Sequence, residues 1–143
     1  MAGERKVRCD LVTPAGTVFA DDVRMVIAPG TEGELGILPL HAPLITTLRP
    51  GELRIRPEED KDEWLAFAVD GGYLEIFQDH VTILADAAVK ADEIDIETAR
   101  GETEAAAKAL AETDPSDEEA VKEAQRRVAR AENRLAVAYK VNP

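Results

Sequence analysis

The chain changes character between Ala87 and Glu93, and one structural class does not fit both sides of that junction. Before it, Gly and Pro punctuate the sequence at Pro14-Ala15-Gly16, Pro29-Gly30, Glu32-Gly33, Pro50-Gly51 and Asp70-Gly71-Gly72, cutting it into short runs. These are turn signals at strand-like spacing. Between them lie β-favouring segments: Val7 to Thr13, Val23 to Ala28, Glu34 to Pro39, Leu44 to Leu48, Glu52 to Arg56, Trp64 to Val69, Tyr73 to Phe77 and Val81 to Leu84. Several alternate with period two, as Val7/Cys9/Leu11 and Leu65/Phe67/Val69 do, and none has a helical period. The pattern predicts an antiparallel all-β sandwich or flattened barrel over residues 1–88.

After Asp92 the only glycine is Gly101, no proline occurs before Pro115, and alanine, the strongest helix former, becomes the commonest residue. Ile96, Ala99, Thr103, Ala106 and Leu110 recur at steps of three and four, as do Val121, Ala124, Val128, Ala131, Leu135 and Ala138. Both segments read as amphipathic helices, so residues 89–143 are expected to form a C-terminal α-helical hairpin. Asp95 or Asp92 can cap the first helix, and Ser116, with Glu119 three residues later, can form a capping box for the second. Stripes made mainly of alanine bury little area, with Leu110, Val121, Val128 and Leu135 as the large anchors. Such a hairpin has a marginal core of its own and leans on the sandwich or on a partner.

A formal net charge of −12 repels phosphate backbones and anionic headgroups, which argues against the whole molecule binding nucleic acid or a lipid surface. No stretch approaches the roughly eighteen apolar residues of a membrane span, and Met1-Ala2-Gly3-Glu4-Arg5-Lys6 leads into no apolar signal region. Charge is also uneven along the helices: residues 91–120 hold 11 acids and 2 bases, whereas residues 121–143 hold 6 bases and 2 acids. Arg126, Arg130 and Arg134 recur every four residues, with Arg127 beside them, forming a cationic ridge. Two readings stay open: the arginines pair with the acidic first helix as a solvated face, or they dock against carboxylates of another protein.

Patterns for catalysis are missing. His41 and His80 accompany no Gly-x-Ser-x-Gly or His-Glu-x-x-His arrangement, and no Cys/His cluster has metal-ligand spacing. The single cysteine, Cys9, alternates with Val7 and Leu11 and reads as a buried strand residue. Gly30-Thr31-Glu32-Gly33-Glu34-Leu35-Gly36 lacks the Lys-Ser/Thr of a phosphate loop, and its two glutamates repel phosphate, so it reads as a turn between strands. The paired acids Asp21-Asp22 and Glu58-Glu59-Asp60 read as solvated turn or loop residues.

The order of the pieces is nonetheless specific. Gly33-Glu34-Leu35-Gly36-Ile37-Leu38-Pro39-Leu40-His41-Ala42-Pro43-Leu44 is followed by Gly71-Gly72-Tyr73-Leu74-Glu75, by Val81-Thr82-Ile83-Leu84-Ala85-Asp86-Ala87-Ala88, and by the alanine-rich helical pair. Over nearly its whole length, from Val7 to Tyr139, this resembles the epsilon subunits of bacterial F-type ATP synthases. The resemblance implies a non-catalytic central-stalk subunit, peripheral on the cytoplasmic side of the cell membrane. Its sandwich couples the gamma subunit to the c ring for proton-driven ATP synthesis, and its helices inhibit ATP hydrolysis by extending among the alpha and beta subunits. Carried over residue by residue, Glu34 lies where the family approaches the c-ring loops and His41 where it approaches gamma. Arg126, Arg127, Arg130 and Arg134 fall where the second helix meets an acidic segment of the beta subunit. A hairpin with two alternative dockings is a bistable switch.

Leu40 departs from the glycine common at its position in the family, which predicts a slightly different bend. Some members bind ATP through an Ile/Leu-Asp-x-x-Arg-Ala motif, an upstream glutamate and two arginines of the second helix. Here Ile94-Asp95-Ile96-Glu97-Thr98-Ala99 keeps the aspartate, Thr98 replaces the motif arginine and Val89 stands in the upstream position, while Arg130 and Arg134 match the pair. Arg100 lies about 200° round the helix from Thr98. The expectation is no cofactor and weak or absent ATP binding at Asp95, Arg130 and Arg134, with Asp95 serving as a helix cap. The competing reading is a free-standing β-sandwich adaptor whose basic helix binds an acidic protein partner.

Overall fold

The computed structural model describes residues 5–58 and 61–141, so Glu59 and Asp60 of the second acidic run lie outside the described residues. The chain divides into two compact units after Lys90. The first unit is a ten-stranded β structure in the order β10-β7-β6-β3-β5-β8-β9-β1-β2, with β4 paired to β3. Its strands are β1 (Val7–Thr13), β2 (Gly16–Val23), β3 (Met25–Gly30), β4 (Gly33–Ile37) and β5 (Leu44–Leu48). They continue as β6 (Gly51–Arg56), β7 (Leu65–Val69), β8 (Gly72–Phe77), β9 (His80–Ala85) and β10 (Ala88–Lys90).

A single pairing, Gly30 with Leu48, links β3 to β5. The order therefore separates into two layers of five strands, β4-β3-β6-β7-β10 and β5-β8-β9-β1-β2, hinged at that bridge. Period-two alternation turns one face of each layer inward. Val26, Leu53, Ile55 and Val69 from the first layer, with Leu11, Leu74, Val81 and Ile83 from the second, belong to one core and are completely shielded from solvent. Burying each such side chain contributes about 1.5 to 3 kcal/mol, so this unit is held by apolar burial. Away from the hinge, Phe19 of β2 meets Phe67 of β7 edge to face at 6.1 Å, closing the sandwich toward a barrel.

Several sequence expectations need correction. Strand β2 was not expected: Asp21 and Asp22 lie in it, pairing with Cys9 and Arg8 rather than occupying a turn. Its side chains are mostly exposed, so backbone pairing at the sheet edge, without an apolar face, makes it a strand. The sandwich also ends two residues later than the boundary at Ala88, because β10 pairs Ala88–Lys90 with β7. Nor is the fold wholly antiparallel: β1 and β9 run parallel, Cys9 opposite Val81 and Leu11 opposite Ile83. Cys9 is completely buried there, which pushes its thiol up to about 12 and removes it as a nucleophile at neutral pH.

In the second unit, a 3-10 turn at Ala91–Glu93 precedes α1 (Ile96–Ala111) and α2 (Glu118–Val141), which pack on each other. Asp95 caps α1, its carboxylate accepting from Thr98 N at 3.1 Å and Thr98 Oγ1 at 2.6 Å. Ser116 does not cap α2. It donates to Asp114, from N at 3.0 Å and from Oγ at 2.8 Å, while Asp117 accepts from Ala120 N at 3.1 Å. The preceding Asp114 engages the serine in an Asx turn, which moves the cap one residue on.

Candidate partner-binding surface

The outward faces of the two layers differ in chemistry. On the first, Arg54 pairs with both Glu34 and Glu52 at 3.4 Å, and Arg56 stacks over Trp64 at 5.8 Å. The charges of that face are paired locally. On the second, register sets Thr47, Tyr73 and Leu84 in one row across β5, β8 and β9, and Ile45, Glu75 and Thr82 in the next. Ile45 is 72% exposed, Tyr73 60%, Phe77 54% and Leu84 53%. Two shallow hollows of about 490 and 330 Å³ lie along this face, and Ile45 and Glu75 line both. A contiguous exposed apolar surface of this kind marks an interaction site.

The fold holds this face rigidly. Gly72 opens β8 at φ +133°, and a Cβ there would collide with the Leu84 carbonyl oxygen, so only glycine lets β8 and β9 approach this closely. At the other end of β8, Gln78 and Asp79 both have positive φ and turn the chain tightly into β9. The Asp79 carboxylate accepts from Leu40 N at 2.6 Å and from Arg5 Nη2 at 3.2 Å. The Leu40 contact chiefly holds that carboxyl below its usual range. Leu40 has φ +71°, the left-handed conformation that glycine adopts without penalty. The bend thus keeps a glycine-like backbone with a leucine on it, and the Asp79 bond secures it.

His41, just beyond that bend, is half-buried and bonded locally, its N–H to Leu38 O at 3.2 Å and its Nδ1 to Ala42 O at 2.7 Å. Glu34 is exposed on β4, opposite Pro29 of β3, and reaches Arg54. Thr31 and Glu32 form the two-residue turn that joins β3 to β4, as the glycine-rich run implied.

In the helical unit the residues matched to a nucleotide motif already hold partners. Asp95 caps α1, and these Thr98 bonds depress its pKa. Arg130 binds Glu123 at 3.1 Å, and Arg134 reaches Glu102 of α1 at 3.8 Å. Arg126 joins Glu123 from the other side at 3.2 Å, whereas Arg127 is exposed and has no ion pair among the described residues. Val89 lies in β10 opposite Ala68. Arg100 is turned to other work: its Nη2 donates to the Tyr139 hydroxyl at 2.6 Å and its Nη1 binds Glu97 at 2.9 Å.

Reading for chemistry missed Ile45, Tyr73, Glu75, Phe77 and Leu84, although a signal was present. In Tyr73-Leu74-Glu75-Ile76-Phe77 the inward phase is apolar and the outward phase carries two aromatics, which a strand facing only water does not need.

The class these features define is a β-sandwich with one apolar outer face, followed by a helical hairpin. Residues 6–91 match the family model described as the ATP synthase delta/epsilon chain, beta-sandwich domain. An ATP synthase epsilon chain of Syntrophobacter fumaroxidans is 43% identical over 135 residues, covering 94% of this chain and 97% of the relative. Another, from Pelotomaculum thermopropionicum, is 44% identical over 108 residues, covering 76% of this chain and 78% of the relative. Among solved structures, a chain of the Euglena gracilis mitochondrial ATP synthase OSCP/F1/c-ring assembly superposes with a TM-score of 0.75 at 19% identity. It covers 96% of this chain and 81% of that one, a likeness of fold. The chain belongs to the ATP synthase delta/epsilon family, among its bacterial epsilon chains.

Proposed function

We propose that this chain is the non-catalytic central-stalk subunit of an F-type ATP synthase, coupling gamma to the c ring during proton-driven synthesis and restraining ATP hydrolysis through its helices. The observation that carries the reading is the apolar outer face of β5, β8 and β9 on a family member with no helix long and apolar enough to cross a membrane among its described residues. A rigid sandwich with such a face is suited to grip a stalk. The chain would then be peripheral, held on the cytoplasmic side of the cell membrane by its partners. Glu34 would face the c-ring loops, His41 would face gamma, and Arg126, Arg127, Arg130 and Arg134 would meet acidic groups of the beta subunit when the hairpin extends. The pairs that Arg126, Arg130 and Arg134 make with Glu123 and Glu102 are open to solvent on at least the carboxylate side, and such ion pairs are worth little, which supports that exchange. Nucleotide is proposed as a weak ligand at most, since Asp95, Arg130 and Arg134 would each have to leave a present partner.

Co-purification tests the reading. Affinity-tagged chain from native membranes is expected to bring down gamma with alpha and beta, and complexes rebuilt with the chain trimmed after Asp92 should hydrolyse ATP without restraint. Recovery of none of these subunits would favour the free-standing adaptor.

A further inference from the structure

We infer that Glu75 is the charge-reading centre of the apolar face and takes an arginine from the stalk partner; the inference rests on the docking role proposed above. Glu75 lines both hollows, with Ile45 opposite it on β5 and Thr82 opposite it on β9. Neither neighbour can neutralise a carboxylate. The basic groups farther along this side of the sheet are already engaged: His80 Nε2 contacts Asp10 Oδ2 at 2.6 Å, and Arg8 Nη2 contacts Asp10 Oδ1 at 3.3 Å. Among the described residues Glu75 has no ion pair and no side-chain hydrogen bond.

An exposed carboxylate without a partner is ordinary on a polar surface. Centred among Ile45, Tyr73, Phe77 and Leu84 it is different, because a partner that covers these side chains strips water from the charge as well. Docking is then favourable only if the covering surface supplies a cation. Tyr73 and Phe77 stand two residues to either side of Glu75 on the same face of β8, offering aromatic planes beside the carboxylate. A guanidinium can bond the carboxylate with its fork and stack on an aromatic ring at once, whereas an ammonium is a compact, strongly hydrated point charge. The occupant is therefore a protein segment with aliphatic side chains around one arginine.

The test uses the full-length chain and the gamma subunit of the same assembly, with affinity measured at two salt concentrations. Glu75→Gln should weaken binding by about tenfold to a hundredfold and flatten its salt dependence. Glu75→Asp should retain most of the affinity, and Glu75→Arg should lose more than Gln and be rescued by an Arg→Glu change on gamma. Ile45→Asp reports on the face itself. If Ile45→Asp abolishes binding while Glu75→Gln leaves affinity and salt slope unchanged, the cation claim is overturned and the docking face survives. If Ile45→Asp binds like the unmodified chain, gamma does not use this face and the docking role assigned to it fails. If sedimentation shows a dimer of this chain that Ile45→Asp dissolves and gamma does not displace, the occupant is a second copy and the inference is overturned.

Discussion

The sandwich and the hairpin bury different things. In the sandwich the shielded side chains between Val7 and Ala85 are mostly Leu, Ile, Val and Phe from both layers, with Cys9, Ala28 and Ala85 among them. In the hairpin they are Ala99, Ala106, Ala131, Ala138 and one larger residue, Val137. The expected anchors Leu110, Val121, Val128 and Leu135 are only half-buried. Polar ties also run between α1 and α2: Arg100 to Tyr139, Arg134 to Glu102, and Thr103 Oγ1 to Ala131 O at 3.4 Å. Water can replace such ties at little cost, whereas it cannot replace a packed core. One unit is thus built to hold shape and the other to exchange contacts, and low-stability elements are where switching motion resides.

The contrast is broken most severely by attacking the core. Leu74→Ala should cost about 2 to 5 kcal/mol in urea unfolding followed by near-ultraviolet signals, while the chain trimmed after Asp92 keeps the unmodified midpoint. A trimmed chain that unfolds much earlier would mean the sandwich is not self-sufficient. A smaller change sharpens the other side of the comparison: Leu40→Gly should raise stability by about 0.5 to 1 kcal/mol, because glycine accepts φ +71° without the penalty leucine carries. Unchanged stability would show that the extra freedom of glycine in the unfolded chain cancels the relief of strain.

Acid acts on the hairpin through the cap of α1. The Asp95 carboxyl is depressed in the folded state by its Thr98 bonds, so its contribution is complete above the unfolded value and is lost as pH falls through the folded one. Helical circular dichroism should therefore fall as pH drops below the ordinary aspartate value, and Asp95→Asn should flatten that limb while retaining the cap at neutral pH. An identical acid limb in the variant would assign it to other carboxylates. The smallest effect is expected from Tyr139→Phe. Removing the Arg100 acceptor should speed hydrogen exchange in the last turns of α2 and leave β8 and β9 unchanged. Equal exchange in both proteins would show that the staple does not hold the hairpin shut.

Much of this was legible in residue order. Turn punctuation and period-two alternation marked the buried strands, alanine with a period of three to four marked the helices, and Cys9 read as core because its neighbours in phase were apolar. β2 escaped because an edge strand needs no apolar face, and β10 because three residues carry no period. The cap at Asp117 escaped because two adjacent candidates compete and only local geometry chooses between them. Paired ends were harder still. That Asp79 secures Leu40 across 39 positions cannot be read from spacing, since neither residue is unusual alone.

By itself the sequence determined the two-part architecture, the inward phase of the strands it marked and the family, because periodicity and turn chemistry act over a few residues and leave a local record. Only the tertiary structure decided that Ile45, Tyr73, Phe77 and Leu84 share one exposed face, that Glu75 stands among them without a cation, and that Arg100 is spent on Tyr139. Those facts depend on strand register and on which distant residues become neighbours, which chain closure sets globally and no short window of residues contains.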